Sequence, residues 1–245
     1  MIVYGRNPVR EALRGRRAVA TVWADRGAAR EPWLAALEPV SSTAEELEQR
    51  CGSPDHQGVC AEVADYPYAE PDALLETRDA LVVCLDEVQD PHNLGAVCRV
   101  AEAAGAAGVV ICERRAVHVT PAVCKASAGA VEHLAVARVG NLADWIGRAQ
   151  QREAWVYGAA TGEGSVAYER HDYSGRVVLV LGSEARGLRP RVAGACDALV
   201  ALPQRGKVGS LNVSAAAAAL VYGILQLRGR KLDTERRAGD TRRDR

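Results

Sequence analysis

An α/β fold with a mostly parallel sheet, preceded by a smaller α/β unit, is predicted by three features of the sequence. From Asp79 onward, apolar runs of strand length near 80–85, 108–112, 134–138, 154–159, 177–181 and 198–202 alternate with helical stretches near 94–104, 121–131, 142–152 and 211–228. Such βα alternation argues for a parallel sheet covered on both faces. Turn-rich, polar segments follow three of the runs, at the position where open α/β sheets bind ligands. A Tyr/Pro-rich break at Tyr66–Pro71 separates this region from residues 1–66.

The first 66 residues read as a unit of their own. Asn7-Pro8 is an N-cap followed by proline at the first helical position, and Thr43-Ala44-Glu45-Glu46 is a capping box. Val19–Trp23 reads as a short strand, and Gly58–Val63 alternates as a final one. The division expected is 1–68 for this unit, 69–78 for a linker, 79–230 for the larger domain and 231–245 for a charged, disordered tail. Within the larger domain, Thr120-Pro121 and Asn141 mark helix starts.

Composition narrows the function. At 245 residues with 48% hydrophobic content, the chain can bury a substantial core, which must be aliphatic because there is no Phe and one Met. No apolar segment approaches the ~18 residues of a membrane helix, and the N-terminus lacks the layout of a signal peptide, so a cytoplasmic protein is expected. The seven cysteines form no C-X-X-C pair and the five histidines are scattered, so no metal site is expected. Net charge is +0, but residues 1–30 hold seven arginines against Glu11 and Asp25, and 228–245 are basic too. Arginine grips phosphate and stacks on bases, so basic ends suit RNA better than the net charge implies.

The three polar segments carry the chemistry. Leu85 to Arg99 runs from a strand through Asp90-Pro91-His92-Asn93-Leu94-Gly95 into a helix; Gly182-Ser183-Glu184-Ala185-Arg186-Gly187 is a glycine turn bearing a carboxylate; Pro203 to Ser214 is a loop that delivers Ser210 and Asn212 to a helix start. In order and pattern they are N-X-G-X-X-X-R, G-X-E-X-X-G and S-L-N-V-S, and together they resemble the motifs of the SpoU/TrmH family of RNA 2′-O-ribose methyltransferases, part of the SPOUT superfamily. Tyr4-Gly5-Arg6-Asn7-Pro8-Val9 and His56-Gln57-Gly58-Val59 resemble the two ends of the ribosomal-protein-like RNA-binding domain of the rRNA-modifying members.

The resemblance implies S-adenosylmethionine as cofactor, a trefoil knot near residues 180–215 and a homodimer with its active sites beside the interface. It also implies an RNA substrate, most like a guanosine of 23S rRNA in RNA or in a ribosome assembly intermediate. By position in the motifs, Arg99, Asn93, Glu184, Ser210 and Asn212 are the candidate catalytic residues, and Gly182, Leu202, Gly206 and Leu211 the candidate cofactor contacts. Arg99 matches the arginine placed at the reacting hydroxyl; because arginine rarely gives up its proton, electrostatic positioning is the safer role. Glycine at 182 and 206 would let backbone approach the adenosyl group, and Glu184 would accept backbone N–H groups or touch substrate.

Rival readings are a tRNA 2′-O-methyltransferase, a non-catalytic RNA-binding protein of the same fold, and a nucleotide hydrolase. The last fails because Leu188-Arg189 stand where a P-loop needs Lys-Ser/Thr. Finally, the apolar stripe of Val213, Ala217, Leu220, Ile224 and Leu227, widened by Ala218, Val221 and Leu225, predicts a last helix buried on more than one side.

Overall fold

The computed structural model describes residues 1–229 apart from Glu163, Ala185 and Val208. The tail expected at 231–245 lies outside the described residues. Two sheets organise the chain. The N-terminal sheet holds β1 (Ile2–Tyr4), β2 (Val19–Ala24), β3 (Val40–Ser41) and β4 (Val59–Val63) in the order β1-β4-β2-β3. Helices α1 (Arg6–Arg14), α2 (Pro32–Ala35) and α3 (Ala44–Cys51) connect them.

The capping box at Thr43 is present in full: Glu46 N donates to Thr43 Oγ1 at 3.2 Å and Thr43 N to Glu46 Oε2 at 2.9 Å. Asn7, by contrast, is not the cap of α1. The helix starts at Arg6, and the cap position is Gly5 with φ 93. Gly5's φ of 93 is a backbone conformation that side-chain-bearing residues rarely adopt, and its N–H donates to Val59 O at 3.0 Å, so the backbone path into α1 demands glycine there.

The C-terminal sheet has seven strands, all paired in parallel, in the order β7-β6-β5-β10-β8-β11-β9. They are β5 (Leu81–Asp86), β6 (Gly108–Cys112), β7 (Val136–Val139), β8 (Trp155–Ala159), β9 (Ser165–Ala167), β10 (Val177–Gly182) and β11 (Ala198–Ala201). Edge strand β9 was not anticipated, since three residues carry no periodicity to read.

Side chains alternate between two cores, as strand geometry requires. On one face Leu81, Val83, Leu85 and Leu179 meet α4 (Pro91–Ala103), α5 (Pro121–Ala126) and α8 (Val213–Arg243, described as far as Gly229). On the other, Val82, Cys84, Val178 and Val180 meet α6 (Leu142–Gln151) and α7 (Pro190–Ala195). The helix expected over 121–131 stops at Ala126. Ala128 (φ 52) and Gly129 (φ 88) turn the chain, and a Cβ on Gly129 would lie 2.6 Å from the Glu11 side chain, so the close approach of α1 sets the break.

The segment expected as a linker is stitched down. Tyr66 donates its hydroxyl to the carbonyls of Val131 (3.0 Å) and Leu134 (2.8 Å), Ala69 bridges Ala137, and the short turn Pro71–Leu75 buries Leu74 and Leu75 in the second core. A buried ion pair closes the junction: Arg17 Nε donates to Glu132 Oε2 at 2.9 Å, with both side chains 1% exposed.

Beyond β11 the chain returns across the sheet to start α8 beside the N-terminus of α4. That return carries the last motif to the carboxyl ends of β5 and β10, which pair in register from Val177–Leu81 to Gly182–Asp86.

Candidate active site

Strand β5 ends in Asp86, and four residues later Asp90 caps α4, Oδ1 accepting His92 N–H at 2.8 Å, with Pro91 at the first helical position. The first turn buries Asn93, which donates through Nδ2 to Glu184 Oε1 at 2.9 Å and lies 3.5 Å from Asp90 Oδ2. Asn212 completes the cluster, donating through Nδ2 to Asn93 Oδ1 at 3.0 Å and also to Glu184 Oε1. Its own Oδ1 accepts the N–H groups of Ser214 (2.8 Å) and Ala215 (3.4 Å). Asn212 therefore starts α8 and fixes the carboxylate at once. Glu184 is held by two side-chain amides, not by the backbone N–H groups expected from its turn.

The glycine turn after β10 is tight. Gly187 N donates to Ser183 O at 2.8 Å, and a Cβ on Gly182 would fall 2.0 Å from the Gly187 carbonyl carbon. The missing Cβ at Gly182 thus makes room for the turn's own backbone, which corrects the expectation that close approach of a ligand explains this glycine. Gly95 serves packing in the same way: its Cβ would lie 2.5 Å from Ala126 Cβ, where α4 crosses α5.

Arg189 is the residue that motif reasoning passed over. Its backbone N donates to Asp86 Oδ2 at 2.8 Å, Nε to Asp86 Oδ1 at 2.7 Å and Nη1 to Glu87 Oε1 at 3.1 Å. The Asp86 hydrogen bond raises the guanidinium pKa further, so this pair is a permanent clasp between β5 and the β10 turn. An acid at the end of one strand and a basic residue after another was the only available signal.

Two cavities meet at this cluster. The first, about 450 Å³, is lined by Leu181, Gly182, Leu202 and Leu211 among aliphatic neighbours, with Glu184 and Ser210 among its polar groups. The second, about 640 Å³, has Asp90, Asn93, Arg115 and Glu184 in its walls, and the two share Ser183, Glu184, Arg186 and Val213. Of the nine candidate residues, Asn93, Glu184, Asn212, Ser210, Gly182, Leu202 and Leu211 are brought together. Arg99 and Gly206 are not. Arg99 is exposed on the outer side of α4 and lines neither cavity, and a Cβ on exposed Gly206 would meet nothing within 4 Å.

The first cavity falls in the range of about 300–1,000 Å³ typical of small-molecule sites. An aliphatic slot with a polar mouth fits S-adenosylmethionine, which has a flat adenine at one end and a charged amino-acid moiety at the other. Among the described residues no group of His, Cys, Asp and Glu is arranged to hold a metal ion, and no helix is long and apolar enough to cross a membrane.

Comparison with known proteins agrees with this geometry. Residues 80–222 match the SpoU rRNA Methylase family, and residues 2–69 match the domain described as RNA 2′-O ribose methyltransferase substrate binding. A putative TrmH family tRNA/rRNA methyltransferase, YacO of Bacillus subtilis, is 44% identical over 180 residues, 71% of this chain and 71% of its own. Among solved structures, the AdoMet-bound rRNA methyltransferase of Sinorhizobium meliloti is 27% identical with a TM-score of 0.76, covering 92% of this chain and 86% of its own. The fold is likewise that of the SpoU methyltransferase AviRb of Streptomyces viridochromogenes in complex with the cofactor AdoMet, with a TM-score of 0.80 at 24% identity over 93% of this chain and 90% of the other. With its three motifs gathered at one sheet edge beside a cavity that fits the cofactor, this chain belongs to the SpoU/TrmH family of S-adenosylmethionine-dependent RNA methyltransferases.

Proposed function

We propose that the protein methylates the 2′-hydroxyl of a ribose in RNA, with a guanosine of 23S rRNA, free or in a ribosome assembly intermediate, as the target. The observation that carries this reading is the Asn93–Glu184–Asn212 cluster at the seam of two adjoining cavities, one of cofactor size and one open to a larger substrate. S-adenosylmethionine supplies an electrophilic methyl group on its sulfonium. The chain's own residues do the rest: Gly182, Leu202 and Leu211 wall the cofactor slot, while Glu184, fixed by two amides, presents a carboxylate edge toward the ribose. Fixing that geometry beforehand lowers the cost of aligning an in-line transfer.

Arg99 acts at the same hydroxyl, stabilising the developing alkoxide, and does so across a homodimer interface. Two observations support this: Arg99 is exposed on α4, away from its own subunit's cavities, and the neighbouring α8 shows an exposed stripe of Ala215, Ala219, Tyr222 and Gln226 at helical spacing. Ser210 and Gly206, in the loop that leads into α8, complete the cofactor site when RNA and the second subunit are in place. In this reading residues 1–68 bind RNA, 69–78 connect, and 79–230 carry catalysis in the cytoplasm.

The test is methyl transfer from labelled S-adenosylmethionine to a 23S rRNA transcript and, separately, to bulk tRNA, followed by mapping of the modified nucleotide. Label on a ribose of 23S rRNA is the expected result. Label confined to tRNA would transfer the assignment to a tRNA ribose, and label on a base would refute the 2′-O reading.

A further inference from the structure

We infer that the second cavity receives a single extruded nucleotide of the RNA and that Arg115 and Arg186 grip the phosphates on its two sides; this rests on the methyltransferase reading above. At about 640 Å³ the cavity has room for one nucleotide, and it shares Ser183, Glu184, Arg186 and Val213 with the cofactor slot. Groups bound in the two cavities would therefore touch at Glu184, as methyl transfer requires.

One rim is built from two loops under strain. Glu87 (φ 56) and Arg115 (φ 58) both adopt left-handed conformations without being glycine, a strained backbone for a side-chain-bearing residue. Three contacts hold them side by side: Val117 N to Val88 O at 2.9 Å, Gln89 Nε2 to Arg115 O at 3.3 Å, and Arg115 Nη1 to Glu87 Oε1 at 3.8 Å. The Arg115 side chain is 76% exposed and lines the cavity, and the backbone conformation sets the direction in which it leaves the loop.

Arg186 lies in the turn after β10, which flanks β5 on the side away from β6, the strand whose following loop carries Arg115. It is exposed and has no acidic partner among the described residues. The carboxylates nearby are already engaged: Glu87 by Arg189 at 3.1 Å, Asp90 by the α4 backbone, and Glu184 by two amides. An anion approaching the cavity meets Arg186 and Arg115, the latter only loosely paired with a Glu87 carboxylate (3.8 Å) that Arg189 holds more closely (3.1 Å), while hydrogen bonds fix Asp90 and Glu184 in the walls. A free nucleotide would present its phosphates on one side only, whereas a nucleotide within a strand carries one phosphodiester on each side. Enzymes that act on a base turn it out of its stack into such a pocket, and the same mode would bring the ribose of one nucleotide to the cofactor slot.

Phosphate contacts position RNA without reading its sequence, which sets the test. Arg115→Ala and Arg186→Ala, singly and together, are compared with the wild type for methyl-transfer kinetics, for S-adenosylmethionine affinity by calorimetry, and for affinity to a 23S rRNA transcript across a salt series. Each single variant is expected to raise KM for RNA about tenfold, with cofactor affinity unchanged, and to lower the slope of log affinity against log salt by roughly 0.7–1. Lysine at either position restores most of the loss, since charge and not shape is what the phosphate needs. Unchanged RNA affinity and salt slope in the double variant overturns the inference; loss of cofactor affinity in Arg186→Ala would instead assign that residue to the first cavity and overturn its phosphate role. Because the salt series needs no turnover, a wild type that binds RNA but transfers no methyl group defeats the functional reading while the role of the arginines is still decided.

Discussion

Asn93 and Glu184 lie 91 residues apart in sequence, yet their side chains meet at 2.9 Å, and Asn212 donates to both. Each comes from a different element: the first turn of α4, the turn after β10, and the residue before α8. The carboxylate is fixed by groups that also start helices, so its position is set by the fold and not by a flexible loop.

Removing the carboxylate should therefore cost activity far more than stability. In Glu184→Ala the amides of Asn93 and Asn212 lose their common acceptor, and single-turnover methyl transfer is expected to fall about 10²-fold or more. Because Glu184 is itself exposed, the thermal midpoint should change little. Stopped-flow or quench measurements beside a melting curve check both, and near-normal turnover would remove Glu184 from the reaction.

In the proposed dimer, residues that would serve assembly and residues that serve folding lie on different sides of helix α8. Leu220 and Val221 are 1% and 0% exposed and pack into the subunit's own core, so arginine at either is expected to unfold the monomer. Ala219 and Tyr222 face outward. Ala219→Arg should leave a folded monomer by light scattering and abolish activity, whereas Arg99→Ala should abolish activity with oligomeric state and cofactor affinity unchanged. A wild-type protein that is monomeric and fully active at low micromolar concentration contradicts the dimer.

The junction of the two sheets depends on the Arg17–Glu132 pair. Breaking a buried pair from one side strands a charge and costs about 3–5 kcal/mol, whereas replacing both partners with apolar groups is near neutral. Arg17→Met should accordingly lower the denaturation midpoint sharply, and Arg17→Met combined with Glu132→Leu should recover most of it. Deleting residues 1–68 strands Glu132 in the same way and exposes the apolar surface of α5, so the isolated catalytic region is expected to be much less stable than the full chain.

Alkaline stability follows from two buried thiols. Burial pushes Cys98 and Cys124 up to about 12 from the ordinary value of 9.0. Above the ordinary value the unfolded chain releases these protons while the folded chain keeps them, so the stabilisation present below pH 9.0 is lost as pH rises through 12. Urea midpoints should decline over that window, and Cys98→Ala combined with Cys124→Ala should make the decline shallower, with Cys84, Cys196 and Tyr157, whose pKa values burial also raises, accounting for the rest. An equally steep decline in that variant would assign it to other groups.

Sequence alone determined the βα alternation, the Thr43 capping box, the helix starts at Thr120 and Asn141, and three motifs at strand ends. These rest on local physics: apolar period, cap chemistry and turn residues act over a few positions, and three patterned motifs in order single out a family. Tertiary structure decided the rest. That Gly5 and not Asn7 caps α1 depended on a backbone at φ 93 tied to Val59 of β4, where the helix after Thr120 ends depended on Glu11, and why Gly182 lacks a side chain depended on the turn that folds back over it. The Asp86–Arg189 clasp and the Arg17–Glu132 pair join residues 103 and 115 positions apart, beyond the reach of any pattern within one chain segment. The main buried stripe of α8, Val213, Ala217, Leu220 and Ile224, was legible in its spacing; that fully buried Val221 joins it while Ala218 does not was decided by the packing of α4 and the sheet against an alanine-rich helix that is apolar nearly all round.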